Sequence, residues 1–353
     1  RLNDNIALHN ALKDGIVQPI FIFDTKILDK LERNDARLSF IHKTLTDLNN
    51  KLKKYNSSIK FYYGDVETTW KKIIKTNVKK VFWNNDYEPY AIKRDKKIIK
   101  ILNNKNIITY TFKDQVIFEK LEIVKKNFKP YTVFTPYKKK WLKLYSKQKL
   151  TQTEKYFFNF NKSNNKIIPL VNIRFNKSNI IVKPFSLSNL ENYDVDRDYP
   201  YKDNTSQLSP HLRFGTISIR KCFNSAFKIN QSLVSELIWR EFFKNILYNF
   251  PYVETSSFKK KYNYIKWNNN TKNFKLWCNG QTGYPIIDAG MRQLNQTGYM
   301  HNRVRMITAS FLIKHLLIDW KWGERYFASK LLDYDLSANN GNWQWASGGG
   351  CDA

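Results

Sequence analysis

Short apolar runs alternate with amphipathic patterns over the first third of the chain. Runs rich in β-branched and aromatic residues favour strands, whereas apolar positions three or four residues apart favour helices. The pattern predicts strands at 17–23, 59–63, 81–83 and 107–112, separated by helices at 36–54, 66–75 and 90–102. Because parallel neighbouring strands need helical crossovers, this alternation predicts an α/β domain with a doubly wound parallel sheet.

After this alternation the pattern weakens and then becomes helical. Lysine, asparagine and serine runs with isolated apolar clusters predict a connector over 118–200. Helical periodicity returns at 218–227, 233–248, 285–293, 303–320 and 324–332. We therefore expect an α/β domain at 1–117, an interdomain connector at 118–200 and an all-helical domain at 201–353.

The charge balance is strongly basic, with 60 Lys and Arg against 30 Asp and Glu and a formal net charge of +30. Such an excess favours a polyanionic partner such as nucleic acid. Lysine and asparagine are enriched everywhere, however, including the loops, so a compositional bias explains the charge equally well. Composition alone leaves both interpretations open.

Cysteine and histidine spacing argues against metal chemistry. Cys222, Cys278 and Cys351 form no Cys-x-x-Cys pair, and the five histidines have no metal-ligand spacing, so no metal site is predicted. Cysteines without a disulfide pattern are typical of a reducing compartment, and we expect a cytoplasmic protein of the bacterial type. The apolar run at 306–320 is interrupted by a lysine and a histidine and predicts a buried helix.

The common catalytic templates are missing from the sequence. It contains no phosphate-binding loop with a following Lys-Ser/Thr, no G-x-S-x-G and no H-E-x-x-H motif. No G-x-G-x-x-G follows a predicted strand either. A conventional hydrolase or dehydrogenase is therefore not supported.

Three polar motifs lie in the helical half. Residues 205–209 place hydroxyls before a helical segment, where they suit either phosphate oxygens or an ordinary helix cap. Glu236, Trp239 and Arg240 share one helix face with Phe243, a pattern that a core tryptophan beside a surface ion pair also gives. Residues 300–306 are polar and basic and precede an apolar helix, so they must face a cavity, a ligand or a partner.

Together these motifs resemble the photolyase/cryptochrome family. The resemblance is carried, in order along nearly the whole chain, by Tyr87-Glu88-Pro89-Tyr90 with Arg94-Asp95, residues 205–209, 236–241, Thr282-Gly283-Tyr284-Pro285, 300–306 and Asn339-Asn340-Gly341-Asn342-Trp343-Gln344-Trp345. Within the family the chain is most similar to the class I cyclobutane pyrimidine dimer photolyases. The resemblance implies an antenna-type α/β domain followed by a helical FAD-binding domain.

The resemblance places FAD in the helical domain. By motif position, the residues around the cofactor are Tyr193, Thr205, Ser206, Gln207, Leu208, Ser209, Leu233, Arg240, Arg305, Asp333, Tyr334, Asp335 and Asn339. Arg305 would pair with Asp333, and Asn339 would face the flavin N5. Plant or animal cryptochromes would have Asp or Cys at this last position, so the asparagine favours a repair enzyme.

The resemblance also implies an electron path and a lesion pocket. The chain of tryptophans that carries electrons to the flavin would be Trp267, Trp320 and Trp343. The pocket would contain Glu236, Trp239, Asn302, Met306 and Trp345, with Arg197 and Arg303 on DNA phosphates. Glu236 and Asn339 would join the tryptophans as catalytic residues, and Asn302 with Met306 favours cyclobutane dimers over (6-4) lesions.

The implied activity is light-driven repair, in which reduced FAD passes an electron to a dimer flipped out of the DNA. The partner would be damaged DNA, single- or double-stranded, and the protein a monomer. One alternative is a cryptochrome-like blue-light receptor without repair activity. Another is a degraded, non-repairing fragment that still binds nucleic acid through its charge.

The chain departs from the family pattern in two places. A first strand of the α/β domain would precede Arg1 and a helical segment would follow Ala353, so we expect a chain truncated at both ends. Relatives with a folate antenna have an acidic residue near the strand at 107–112, where this chain has Thr109, Tyr110 and Thr111. A second chromophore, a folate or a deazaflavin, therefore stays open.

Overall fold

The computed structural model describes residues 1–188, 190–202 and 205–352. The chain divides into two compact units. Unit 1 comprises Arg1–Ile117, Lys149–Val182 and Phe214–Lys221, and unit 2 comprises Phe118–Gln148, Lys183–Arg213 and Cys222–Ala353. Residues of the predicted connector fall in both units.

Unit 1 contains the predicted alternation of strands and helices. In chain order its elements are α1 (Ile6–Asp14), β1 (Ile20–Asp24), α2 (Thr25–Leu28), α3 (Ala36–Leu52), a 3₁₀ turn (Lys53–Tyr55), β2 (Lys60–Gly64), α4 (Val66–Ile73), β3 (Lys80–Asn84), α5 (Pro89–Asn103), β4 (Ile108–Phe112) and two further 3₁₀ turns (Thr153–Asn159 and Leu170–Ile173). The sequence pattern located all four strands to within a few residues, and it missed α1.

Both strand pairs of unit 1 are parallel. β1 pairs with β2 in a register that aligns Ile20 with Lys60, and β3 pairs with β4 in a register that aligns Lys80 with Ile108. Successive side chains of β1 point to opposite faces, as the pleat requires. Phe23 packs in the cluster formed with α1 and α3, while its neighbours on the other face join the cluster of α4 and α5. Helices therefore cover both faces, which confirms the doubly wound class.

All the secondary-structure elements assigned to the described residues of unit 2 are helices or helical turns, joined by irregular segments. Its elements are α6 (Phe134–Leu144), α7 (Tyr193–Asp196), α8 (Leu208–Arg213), α9 (Ile219–Ile229, whose first turn is assigned to unit 1), α10 (Gln231–Asn249), two 3₁₀ turns (Pro251–Glu254 and Lys260–Tyr264), α11 (Thr271–Asn279), α12 (Pro285–Thr297), α13 (Asn302–Ser310), a π-helical turn (Phe311–His315), α14 (Trp320–Lys330) and α15 (Leu336–Ala346). This composition confirms the predicted helical domain class. Within the described residues, no helix is long and apolar enough to cross a membrane.

The prediction of a single helix at 303–320 is wrong. α13 ends at Ser310 and passes into the π-helical turn Phe311–His315. Leu317 then adopts a φ of 52°, a left-handed conformation that breaks the helix. Asp319 caps a new helix by accepting a hydrogen bond from the Lys321 N–H, so Trp320 opens α14.

The last helix, α15, was not predicted. Its sequence contains Asn339, Asn340, Gly341 and Asn342, residues that favour turns when they are judged by propensity alone. Asp335 caps the helix by accepting hydrogen bonds from the backbone N–H groups of the first turn. Tertiary packing therefore decides the conformation of this segment, and it places Asn339 and Trp343 one turn apart on the helix.

Candidate functional site

The hydroxyl-rich segment 205–209 leads into α8. Thr205 Oγ1 lies 3.2 Å from the Tyr299 hydroxyl and accepts a hydrogen bond of 3.0 Å from the Gln207 amide. The Leu208 N–H donates to Ser206 Oγ over 3.4 Å, so Ser206 acts as an ordinary cap. Gln207 has a φ of 51°, a left-handed conformation that is uncommon for a residue other than glycine. Leu208 is buried and Ser209 is exposed.

Arg305 and Asp333 form a two-pronged ion pair, as the resemblance implied. Arg305 Nη1 lies 3.2 Å from Asp333 Oδ1, and Nη2 lies 3.0 Å from Oδ2. Arg305 Nε also donates to the Met300 carbonyl over 2.8 Å. The guanidinium lies 5.8 Å from the centre of the Tyr299 ring. Tyr299 therefore links Thr205 to Arg305, and sequence reasoning missed it because it lies just outside the 300–306 motif.

Asp335 is buried in a cluster of positive charge. Lys244 Nζ lies 2.6 Å from Asp335 Oδ2, and Arg213 Nη1 lies 3.6 Å from the same oxygen. Burial alone would raise the pKa of Asp335, but Lys244, Arg213 and Arg240 together hold that pKa well below its usual range. Asp335 is therefore ionised, and it joins α10 to the first turn of α15.

Asn339 is held by Glu324 of the neighbouring helix α14. Asn339 Nδ2 donates to Glu324 Oε1 over 2.8 Å and to the Glu324 carbonyl over 3.0 Å. An amide whose nitrogen is committed in this way presents its carbonyl oxygen, an acceptor, on the opposite side. Burial raises the pKa of Glu324, and the hydrogen bond from Asn339 opposes that shift. Sequence reasoning missed Glu324, which belongs to no motif.

Two of the three predicted relay tryptophans are buried. Trp320 and Trp343 belong to the hydrophobic core of unit 2, and Trp267 packs against that core with part of its surface exposed. Trp277, which was not predicted as a site residue, is fully buried with its ring centroid 6.2 Å from that of Trp343. A Cβ on Gly323 would lie 2.1 Å from the Trp343 ring, so the helix packing requires a glycine there.

Three of the residues predicted to contact the lesion and its phosphates take part in ion pairs. Arg197 Nη1 lies 2.6 Å from Glu236 Oε1, and Arg303 Nη2 lies 2.6 Å from Asp198 Oδ1. Arg303 Nη1 also lies 3.7 Å from the Met306 sulfur. The structure therefore brings Arg303 and Met306 together and pairs Arg197 with Glu236.

Two more of the residues predicted to contact the lesion are exposed at the surface of the helices. Asn302 begins α13, and Trp345, which is 42% exposed, lies near the end of α15. Trp239 is half-buried on α10 and packs against Phe134 and Phe243. Exposed aromatic rings are suited to stacking on bases.

The remaining predicted cofactor residues lie around α10 and the start of α15. Burial raises the pKa of Tyr193 to about 12, and Glu236 adds to the shift. Leu233 is buried, and Arg240 Nη2 lies 3.5 Å from the Leu212 carbonyl. Burial lowers the pKa of Arg240, while Asp335 opposes that shift. Tyr334 packs against the hydrophobic core of unit 2.

The donor set is compatible with a dinucleotide cofactor. Hydroxyls at a helix start suit phosphate oxygens, and an acceptor amide and a guanidinium–carboxylate pair suit the polar edge of a flavin ring. In the described part of the chain, no group of three or more His, Cys, Asp or Glu side chains is arranged to hold a metal ion.

Comparison with known proteins identifies the family. Residues 1–155 match the family model for DNA photolyase, and residues 233–353 match the model for the FAD binding domain of DNA photolyase. A deoxyribodipyrimidine photo-lyase of Buchnera aphidicola is 35% identical over 394 residues, an alignment that covers 100% of this chain and 80% of the relative. The chain belongs to the DNA photolyase family. The family, the fold class and the FAD-binding domain predicted from the sequence are confirmed.

Solved photolyase structures share the fold. An archaeal photolyase from Sulfolobus tokodaii, crystallised with two FAD molecules, matches with a TM-score of 0.86 and 34% identity, covering 100% of this chain and 81% of the other. A cryptochrome from Synechocystis matches with a TM-score of 0.83 and 25% identity, covering 100% of this chain and 81% of the other. The photolyase is therefore the more similar of these two in sequence.

Proposed function

We propose that this member of the DNA photolyase family performs the light-driven repair of cyclobutane pyrimidine dimers in DNA. It is an enzyme of the deoxyribodipyrimidine photo-lyase type, and FAD is its cofactor. The similarity over the whole chain to a deoxyribodipyrimidine photo-lyase carries the proposal, and the structure adds the buried ion pair between Lys244 and Asp335. It ties α10, which bears Glu236 and Trp239, to the helix that bears Asn339, and so fixes the lesion residues relative to the flavin residues.

FAD would be held by three groups of side chains. The turn with Thr205 and Ser206 would take the phosphates, and Arg305 with Asp333 would lie along the flavin ring. Asn339 would turn its carbonyl oxygen to the flavin N5, because Glu324 holds its nitrogen. Reduced FAD, when bound, supplies on illumination the electron that splits the cyclobutane ring and takes it back afterwards.

The lesion would enter beside α10. Trp239 and Trp345 would provide apolar walls for the flipped pyrimidines, since base–aromatic stacking is worth about 1–3 kcal/mol per base. Glu236 would accept hydrogen bonds from the dimer, and its ion pair with Arg197 orients the carboxylate. Arg197 and Arg303 would contact phosphates and give affinity without sequence choice.

The tryptophans would keep the flavin in its active redox state. Trp343 and Trp320 are buried in the core of unit 2, while Trp267 reaches the surface. A relay from solvent to a buried cofactor needs this gradient of exposure. Trp343, one turn from Asn339, would be the member nearest the flavin.

The direct test is loss of the dimer. The complete protein, loaded with FAD and reduced, is illuminated with an oligonucleotide that contains one thymine dimer, and intact thymines are quantified by chromatography. We expect repair in the light and none in the dark. A flavin-loaded protein that photoreduces but repairs nothing would instead support a blue-light receptor of the cryptochrome kind, the alternative suggested by the Synechocystis match.

Partner, assembly and compartment complete the proposal. The partner is damaged DNA, single- or double-stranded, and the protein acts as a monomer, which sedimentation at several concentrations tests. Cys222, Cys278 and Cys351 are free and buried, which suits a reducing compartment such as the cytoplasm. Cell fractionation tests this location.

A further inference from the structure

Trp239 is stacked on Phe134, a residue that belongs to no recognised motif. The two ring planes are 9° apart and their centroids 3.6 Å, so the rings lie face to face. Aromatic pairs generally favour offset or edge-on arrangements with wider centroid separations. The surrounding residues must therefore hold this stack in place.

Three further residues contact Phe134 and Trp239. Phe242 meets both edge-on, with its centroid 5.8 Å from Phe134 and 5.5 Å from Trp239. Phe243 lies 5.4 Å from Trp239 with the planes 29° apart. The Phe134 backbone N–H, at the start of α6, donates to Asp352 Oδ1 over 2.9 Å. Phe134, Phe242 and Phe243 therefore form an aromatic socket around Trp239.

The same socket connects Trp239 to α15. A Cβ on Gly341 would lie 2.2 Å from the Phe243 ring, so the ring occupies space that only a glycine leaves open. Gly341 lies between Asn339 and Trp343 on α15. Phe243 thus packs against both Trp239 and α15, the helix that bears the proposed flavin residues.

We propose that Phe134 is a positioning residue for lesion recognition, which fixes the plane of Trp239 so that the exposed part of the indole meets a flipped pyrimidine in one orientation. This rests on the function proposed above, in which Trp239 contacts the dimer. A flat ring gives its full stacking contact only when its plane is set before the base arrives, because ordering it on binding costs side-chain entropy.

The variant that tests this is Phe134→Leu, which keeps an apolar side chain but removes the flat ring. Binding of the FAD-loaded protein to matched oligonucleotides with and without a dimer is followed by fluorescence anisotropy. We expect affinity for the dimer to fall about tenfold, which is about 1.4 kcal/mol. We expect no change in the affinity for undamaged DNA, in the flavin content or in the repair yield at saturating dimer. Phe134→Tyr, which retains the flat ring, should bind the dimer as tightly as the unsubstituted protein does.

Phe227→Leu is the matched control, because it removes a ring that stacks on Tyr145 with centroids 4.4 Å apart and planes 17° apart. It should keep the full dimer preference. A double-mutant cycle adds a readout of coupling: in a Trp239→Ala background, Phe134→Leu should cost nothing further. If Phe134→Leu loses FAD, Phe134→Met takes its place in the cycle.

The outcomes separate the two proposals. If the unsubstituted protein shows no preference for the dimer, the proposed function fails and the positioning role fails with it. If that preference is present and survives Phe134→Leu, only the positioning role is overturned. An equal loss of affinity for damaged and undamaged DNA, or additive losses in the cycle, would likewise overturn it.

Discussion

Asn339 depends on Glu324 for its orientation, and Glu324 is a half-buried acid. Since burial raises its pKa above the ordinary 4.5, the folded protein retains a proton that the unfolded chain has released between those two pKa values. Over that window the folded state binds more protons, so the free energy of unfolding decreases as pH rises. Below pH 4.5 Glu324 is protonated in both the folded and the unfolded state, so it no longer makes the free energy of unfolding depend on pH.

The substitution Glu324→Gln keeps an oxygen that accepts the hydrogen bond from Asn339 but removes the titration. We therefore expect the free energy of unfolding to decrease less between about pH 5 and about pH 7 in this variant than in the unsubstituted protein. Urea unfolding of the FAD-loaded protein at both pH values measures this. The exposed Glu191, changed to Gln, is the control and should leave the decrease unchanged. An equal decrease in Glu324→Gln would contradict the predicted role of Glu324.

Trp343 is the second residue whose role can be isolated. Trp343→Phe keeps an aromatic ring of similar shape in the space beside Gly323, but phenylalanine is much harder to oxidise. We expect photoreduction of oxidised FAD to slow at least tenfold, while repair by chemically pre-reduced protein is largely retained, because repair takes its electron from the flavin. Both are measured on one preparation of known flavin content.

Trp322→Phe is the control for this substitution, since Trp322 lies on the neighbouring helix α14 and packs against the same core, partly buried, but is not a member of the proposed relay. It should photoreduce at the normal rate. If Trp343→Phe folds, holds FAD and photoreduces normally, Trp343 serves packing alone. Trp277, in ring contact with Trp343, would then be the first alternative donor to examine.

At the scale of secondary-structure elements, the sequence pattern predicts elements that have local signals but not those that depend on tertiary packing. The strand at Lys80–Asn84 and the helix at Pro89–Asn103 were predictable, because hydrophobic alternation and a proline at the first turn are local signals. α15 was not, since its asparagines and glycine disfavour helix locally. Its stability comes from the local Asp335 cap and from Phe243 packed over Gly341, a contact that joins segments distant in sequence.

The residues of the candidate site likewise divide into those that a motif predicts and those that only the structure reveals. Motif resemblance was sufficient to predict the ion pair of Arg305 and Asp333. It did not predict Glu324, Tyr299 or Phe134, because each acts through a partner on another helix and has no motif of its own. Such residues become visible only when tertiary packing brings the helices together.

Gly341→Ala tests the packing of α15. Alanine is about 1 kcal/mol better than glycine in a helix interior, so propensity alone predicts a gain in stability. The new methyl would overlap the Phe243 ring, however, and overpacking costs about 1–3 kcal/mol. We expect a net loss of stability and weaker dimer preference, measured by thermal unfolding and DNA binding. Gly15→Ala, where nothing lies within 4 Å, is the control, and a stabilised Gly341→Ala would contradict this packing.

At the scale of the whole molecule, we expect the net charge of +30 to govern nucleic-acid affinity but not lesion choice. Contacts to phosphates release counterions, so the logarithm of affinity falls linearly with the logarithm of salt concentration. Stacking and base flipping release few ions and resist salt. The preference for damaged over undamaged DNA should therefore survive at salt concentrations that remove most of the affinity for either.

Two variants separate these contributions. Arg303→Gln removes one proposed phosphate contact, so we expect weaker binding to damaged and undamaged DNA alike and a salt slope smaller by about 1. Trp239→Ala removes a stacking surface without changing charge, so it should lower the dimer preference and leave the slope unchanged. Titrations at four or more salt concentrations, with and without a dimer in the same sequence, measure both quantities. The opposite assignment, in which Arg303→Gln abolishes the preference and Trp239→Ala changes only the slope, would place lesion recognition in charge rather than in the aromatic pocket.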